Sequence, residues 1–268
     1  MLQSFDDIIL LANEIGNNYL SAKKVNLKKI ARDNEITIVV GNYGNCFVGQ
    51  LTHYMGEFFI LLNKDELEKA ENGRLRFTIA HELGHFFIDD HRSKLRQGIS
   101  LSFKGISSEQ KFNKFEHQAN SFAANLLMPK ENFIRRSKKI EIGIPGILKL
   151  KTIYDTSIEG TALRYVNLNL QPCLMIRWHP DLTPKYKIFS NLLSSSIGIQ
   201  PKNISIRYDK EYLAKRMRFI DLFSVDYTED AARLSKWVPI IDKRKDLLGL
   251  EQTIKLGEFG AITLLVFS

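Results

Sequence analysis

Cysteine is scarce in this chain of 268 residues: Cys46 and Cys173 are the only two, far apart and outside any CxxC spacing. That excludes a disulfide-stapled scaffold and a cysteine-rich structural zinc site, and it fits a reducing cytosol. Long uncharged apolar runs are missing, so no transmembrane helix is expected. The first residues carry Asp6 and Asp7 and no basic leader, which argues against a secretory signal. A cytoplasmic protein with no membrane partner is the expectation. Internal repeats, low-complexity segments and a basic tail are lacking too. The net charge of +8 comes from 38 basic and 30 acidic residues, spread along the chain. Short clusters at Lys215-Arg216-Met217-Arg218 and Lys243-Arg244-Lys245 can attract nucleic acid or acidic surfaces, but such short runs read first as solvated faces. The length suffices for a sizeable core and for two domains.

What is present is the run His81-Glu82-Leu83-Gly84-His85. Two histidines four apart lie on one face of a helix, near enough to hold one ion. Glu82 sits one position round, where it can accept a proton from a water made acidic by that ion. The flanks Leu75–Ala80 and Phe86–Ile88 read as the same helix, apolar nearly all round and so expected to be buried. The bland alternative is a pair of core histidines satisfied by ordinary hydrogen bonds.

A third ligand is sought on the next helical stripe. Between Gln110 and Leu127, apolar side chains fall at Phe112, Phe115, Ala119, Phe122, Ala123 and Leu126. Glu116 lies inside that stripe, and a carboxylate on a core-facing surface is costly unless paired or bound to metal. It is the best candidate to complete the site; a buried ion pair with lysine or arginine is the alternative. His117 shares a face with Asn113, Asn120 and Ser121 and is a poorer choice. Two histidines and one glutamate leave a coordination position open for water, the catalytic arrangement.

The segments Arg76-Phe77-Thr78-Ile79-Ala80-His81-Glu82-Leu83-Gly84-His85 and Glu116-His117-Gln118-Ala119-Asn120-Ser121-Phe122-Ala123-Ala124-Asn125-Leu126-Leu127-Met128-Pro129 resemble the ImmA/IrrE family of metallopeptidases. The resemblance is strong over about the first half of the chain. It implies a zincin-like (gluzincin) α+β fold, one Zn²⁺ on His81, His85 and Glu116, and Glu82 as general base. Mn²⁺ or Fe²⁺ would suit the same ligand types. Many family members carry a further histidine four after the second one of the motif. Here that position is Asp89 and the next histidine is His91, which is left out of the expected site.

The rest of the chain is read coarsely. Helices are expected at Phe5–Tyr19 and Asn26–Asp33, and strands at Ile36–Val40, Cys46–Thr52 and Phe58–Leu62. In a zincin the last of these borders the cleft, where a free edge could pair with an extended peptide; a plain sheet strand is the safer description. Short helices at Asn132–Lys138, Ile147–Tyr154 and Glu159–Val166 follow Pro129. After Pro172, strands are expected at Cys173–Trp178, Tyr186–Phe189, Ile204–Tyr208 and Ala261–Phe267, with helices at Glu211–Phe219 and Glu229–Trp237. With the resemblance, this gives a zincin-like domain over 1–135 and a small helix-turn-helix-like piece over 136–169. A GAF-like α/β regulatory domain over 170–268 completes it. Lys149, Lys151 and Arg164 are too few to make the small piece a convincing DNA reader.

The function this implies is a zinc endopeptidase that cuts a helix-turn-helix repressor and so derepresses its genes, without needing nucleic acid itself. Two other classes stay open: an antirepressor that holds its partner without cleavage, and a DNA-binding transcription regulator. Oligomeric state, the oxyanion-stabilising group and the ligand of the C-terminal domain are not legible.

Overall fold

The computed structural model describes residues 3–44, 46–68, 72–99, 101, 109–198, 200, 204–240 and 242–267. Two compact units emerge from its contacts, one of residues 1–133 with 151–157, the other of 134–150 with 158–268. Residues 136–169, expected as a separate helical piece, are thus shared between the two. None of the described helices is long and apolar enough to cross a membrane.

The first unit opens with α1 (Phe5–Asn18). Ser4 caps it, accepting from the Asp7 amide while Asp7 bonds back to the Ser4 amide, a reciprocal box. Such a cap stabilises a helix by about 1 kcal/mol. Ile8, Ala12, Ile15 and Gly16 form its buried stripe. A small hairpin of β1 (Leu20–Ser21) and β2 (Lys24–Val25) leads to α2 (Leu27–Asp33), capped by Asn26. Then come β3 (Ile36–Gly41), β4 (Gly49–Tyr54) and β5 (Glu57–Asn63).

These three strands form a sheet of order β3-β5-β4, with β5 parallel to β3 and antiparallel to β4. Phe58, Ile60 and Leu62 alternate inward along β5, as a half-buried strand requires. The buried Asn63 accepts from the Tyr43 amide and donates to the carbonyls of Gly44 and Phe47, closing the loop before β4. The strand at Phe58–Leu62 is therefore the central one, paired on both sides; the edges belong to β3 and β4. Alternation along the sequence finds a strand but not its place in the sheet.

Helix α3 (Lys64–Glu68) precedes α4 (Asn72–Phe87), α5 (Asp89–Arg96), α6 (Glu109–Leu127), α7 (Lys130–Ser137) and α8 (Ile144–Tyr154). Helix α4 packs on the sheet and on α6; the rings of Phe58 and Phe86 meet edge to face at 5.1 Å. Tyr154, fully buried, stacks on Phe133 and donates its hydroxyl to Asn132 at 2.6 Å. Asp155 receives Lys24 at 2.9 Å, so the segment 151–157 is tied into the first unit.

The second unit contains α9 (Ile158–Asn167), β6 (Cys173–Trp178), β7 (Pro184–Phe189), α10 (Asn191–Ile197), α11 (Lys210–Phe223), β8 (Tyr227–Arg233), β9 (Leu248–Lys255) and β10 (Ala261–Phe267). Its sheet runs β7-β6-β10-β9-β8 and every pairing is antiparallel. Leu174, Ile176, Trp178, Leu193, Leu213, Leu234 and Leu265 lie in one core. Trp178 donates its indole N–H to Thr263 at 2.8 Å, satisfying the polar tip of a fully buried ring. Ile144 donates its amide to Gln252 at 2.7 Å, which ties the start of α8 to β9.

Two expectations change here. Glu229–Trp237 is not a helix: Tyr227–Arg233 is strand β8, followed by a single 3-10 turn at Leu234–Lys236. Its buried residues, Thr228 and Ala232, are four apart, a spacing that fits a helix and a strand equally; pairing with β9 decides. Ile204–Tyr208 is not a strand. Strand β9 was not foreseen, because its buried run Glu251-Gln252-Thr253-Ile254 is mostly polar and does not alternate.

Candidate metal centre

Helix α4 carries His81 and His85 one turn apart, and α6 crosses it carrying Glu116. Gly84 allows the crossing: a Cβ there would lie 3.2 Å from Phe122 and 3.3 Å from Ala119 on α6. Phe122, Ala119, Ala123 and Leu126 are buried beneath it, as the stripe required, while the side chain of Phe112 lies outside the described residues.

The three side chains converge. His81 Nε2 is 3.2 Å from Glu116 Oε2, His85 Nε2 is 3.4 Å from Glu116 Oε1, and the two Nε2 atoms are 3.1 Å apart. Among the described residues, these three form the group of histidine and carboxylate ligands near enough together to hold a metal ion. An ion with bonds of about 2.0–2.1 Å sets tetrahedral ligands about 3.3 Å apart, so the residues fit one. Glu116 Oε1 supports this: it is buried with no hydrogen-bond donor and faces His85.

The electrostatics agree. Burial disfavours a charged His81, but its hydrogen bond to the Glu116 carboxylate and the charge of Glu82 outweigh it and raise its proton affinity. Burial likewise opposes ionisation of Glu116, and its close contacts with His81 and His85 overcome it, holding the carboxyl well below the usual range. A carboxylate kept ionised inside a largely buried cluster makes a site where a cation is welcome.

Other polar groups reach the imidazoles from behind. His81 Nδ1 is 2.9 Å from Asn120 Oδ1 on α6, at an exposed position. His85 Nδ1 is 3.0 Å from His91 Nδ1 on α5, and His91 Nε2 is 3.1 Å from Gln118 Oε1 on α6. His91 is fully buried. Burial, then the neighbouring His85, push its pKa down to about 4, so it is neutral near pH 7. The sequence reading omitted His91, Gln118 and Asn120. A faint signal existed: Gln118 and Asn120 lie two and four positions after Glu116. His91 depends on the approach of α5, which no local pattern shows. His117 stays apart, stacked on Phe5 at 5.3 Å.

Glu82 is buried, and its Oε2 accepts the Leu51 amide of β4 at 2.7 Å. Gly49 lets the strand sit this low, since a Cβ there would be 2.3 Å from Thr78 and 3.6 Å from Glu82. Glu82 therefore faces the edge strand, while the ligands face α6. A separate cavity of about 1150 Å³, lined by Lys28, Arg32, Phe58, Leu75, Ile79 and Phe86, includes none of these site residues.

Residues 57–143 match the peptidase family described as the IrrE N-terminal-like domain, a stretch that holds His81, Glu82, His85 and Glu116. No curated protein matches the chain. A solved structure titled Mycobacterium tuberculosis transcriptional regulator is similar in fold, with a TM-score of 0.62 at 15% identity, covering 97% of this chain and 76% of that one. Residues 57–143 are thus similar to the IrrE N-terminal-like domain of the ImmA/IrrE metallopeptidases.

Proposed function

We propose that the protein controls transcription through a metal-dependent endopeptidase, with a helix-turn-helix repressor as substrate. The observation that carries this reading is the convergence of His81, His85 and Glu116 within hydrogen-bond distance of one another, with Glu82 on the helix that carries the two histidines. His81, His85 and Glu116 would hold the ion, with zinc the best fit to two imidazoles and a carboxylate and Mn²⁺ or Fe²⁺ as alternatives. Such an ion, when bound, supplies Lewis acidity toward a water and a carbonyl oxygen. Glu82 takes a proton from the attacking water and passes it to the leaving amine. The Leu51 amide keeps the Glu82 carboxylate aimed beside β4. That strand is paired on one side only among the described residues, and an extended peptide can add to its other side. The five-stranded unit after residue 170 would be the GAF-like part that governs regulation or partner choice.

A second reading is regulation by contact, without cleavage. The likeness in fold to a protein titled a transcriptional regulator, over nearly the whole chain, favours it. Direct DNA reading has less support: Arg164 is buried and Lys149 is paired with Glu141 at 2.6 Å.

One experiment separates the readings. Zinc-loaded protein is incubated with candidate repressors and the products are analysed by mass spectrometry, beside Glu82→Gln. Peptide cleavage is expected in the wild type and should fall about 10²- to 10⁴-fold in Glu82→Gln, with metal content unchanged. Binding of a repressor with no fragment from either protein would replace cleavage by contact. Equal cleavage by both would remove Glu82 as the base.

A further inference from the structure

We propose that His91, backed by Gln118, is a positioning residue that fixes His85 in the tautomer whose Nε2 is free for the ion; this rests on the metal reading above. The three groups form a chain of hydrogen bonds from α4 through α5 to α6: His85 Nδ1 to His91 Nδ1 at 3.0 Å, and His91 Nε2 to Gln118 Oε1 at 3.1 Å. Each neutral imidazole has one N–H and one lone pair, so the chain has only two consistent directions.

In one direction, Gln118 accepts from His91 Nε2–H. His91 then accepts from His85 Nδ1–H, and His85 Nε2 keeps its lone pair. That nitrogen lies 3.1 Å from His81 Nε2 and 3.4 Å from Glu116 Oε1, inside the ligand cluster. In the other direction, a reversed Gln118 amide donates, every proton shifts by one place, and His85 Nε2 carries a hydrogen that blocks coordination. The amide oxygen of Gln118 thus sets the ligand state of a histidine two hydrogen bonds away. No solvent can stand in, because His85, His91 and Gln118 are 1%, 0% and 8% exposed. The His91 ring is held as well, packed edge-on against Phe115 at 4.8 Å. His81 differs: its Nδ1 partner Asn120 is exposed, so water can replace that side chain.

The test uses zinc alone as the probe, on the full chain. Affinity is read by competition with a chelator, folding of the metal-free protein by circular dichroism, and the His85 tautomer by imidazole ¹⁵N NMR. His91→Phe and Gln118→Leu should each weaken zinc binding about 10- to 100-fold, the usual cost of losing the partner behind a ligating histidine. Gln118→Glu should retain it, since a carboxylate also accepts from His91 Nε2–H. Asn120→Ala should lose less than either damaging variant. In wild type, the proton should sit on His85 Nδ1, and His91→Phe should release it. Should His91→Phe not fold, Gln118→Leu against Gln118→Glu decides. Wild-type affinity in folded His91→Phe or Gln118→Leu protein would overturn the assignment, as would a His85 bound through Nδ1. If wild type takes up no zinc, the metal reading falls. The relay is then judged on the metal-free protein, where a His85 proton on Nδ1 lost in His91→Phe supports it and its absence refutes it.

Discussion

His81 and Glu116 keep opposite charges against the cost of burial, and that has a consequence measurable by pH. In the metal-free protein, His81 titrates above its ordinary 6.5, so its contribution to stability is complete below 6.5 and is lost as pH rises through the raised value. Glu116 titrates below its ordinary 4.5, so its contribution is present above 4.5 and is lost as pH falls through the depressed value. An ion must displace the proton that His81 retains, so zinc gains as pH rises, while the metal-free pair loses. The rise in melting temperature on adding zinc to chelator-treated protein should therefore be larger at pH 8 than at pH 6. An equal or smaller rise at pH 8 would mean that His81 is not a ligand. At this scale the sequence was informative where chemistry and periodicity coincide. His81 and His85 declare themselves by a four-residue spacing, and Glu116 by a charge in an apolar stripe. His91 and Gln118 carry no such mark, because their role arises only when α5 lies against α4 and α6.

Two helices and one strand edge make the site, and the spacing of α4 from α6 is set at Gly84. Alanine there meets Phe122 and Ala119 at 3.2–3.3 Å, which requires a shift of a few tenths of an ångström. Against this, replacing a mid-helix glycine gains about 1 kcal/mol of propensity. Gly84→Ala should thus be nearly neutral in stability. Gly84→Val adds bulk with no such relief and should cost about 1–3 kcal/mol by overpacking. Pushing α6 away also moves Glu116 from both histidines, so Gly84→Val should bind zinc more weakly than Gly84→Ala. Thermal melts and chelator competition on the two variants check this; zinc affinity in Gly84→Val equal to wild type would show that α6 does not set the ligand spacing. Sequence patterns identified α4 by its histidine spacing and apolar flanks, and α6 by its periodic stripe. They failed on β8, where four-residue spacing imitates a helix, and on β9, where buried polar residues hide the strand. The edge position of β4 followed from pairing alone, which local patterns do not encode.

At the scale of the whole chain, the two units exchange segments. Residues 151–157 belong with the first, although 134–150 and 158–268 on either side belong with the second. A chain ending at residue 135, near the boundary a linear reading draws, keeps every candidate ligand but lacks Tyr154 and Asp155. It leaves the Phe133 ring uncovered, removes the hydroxyl bonded to Asn132, and frees Lys24. Loss of a buried aromatic side chain costs about 3–5 kcal/mol, a large part of the ~5–15 kcal/mol available to a domain. A chain ending at Leu170 restores that segment, but it strips cover from Ile144, Ile147, Ala162, Tyr165 and Val166, all buried in the intact protein. It also removes Gln252, the acceptor for the Ile144 amide. The 1–135 chain is therefore expected to melt far below the full chain and to lose most of its zinc binding. The 1–170 chain should bind one zinc but expose apolar surface, seen as strong binding of a hydrophobic dye and a tendency to associate. Isothermal titration with zinc, dye fluorescence and light scattering on the two truncated proteins test this. A 1–135 chain as stable and as tight for zinc as the 1–170 chain would show that the returning segment is dispensable.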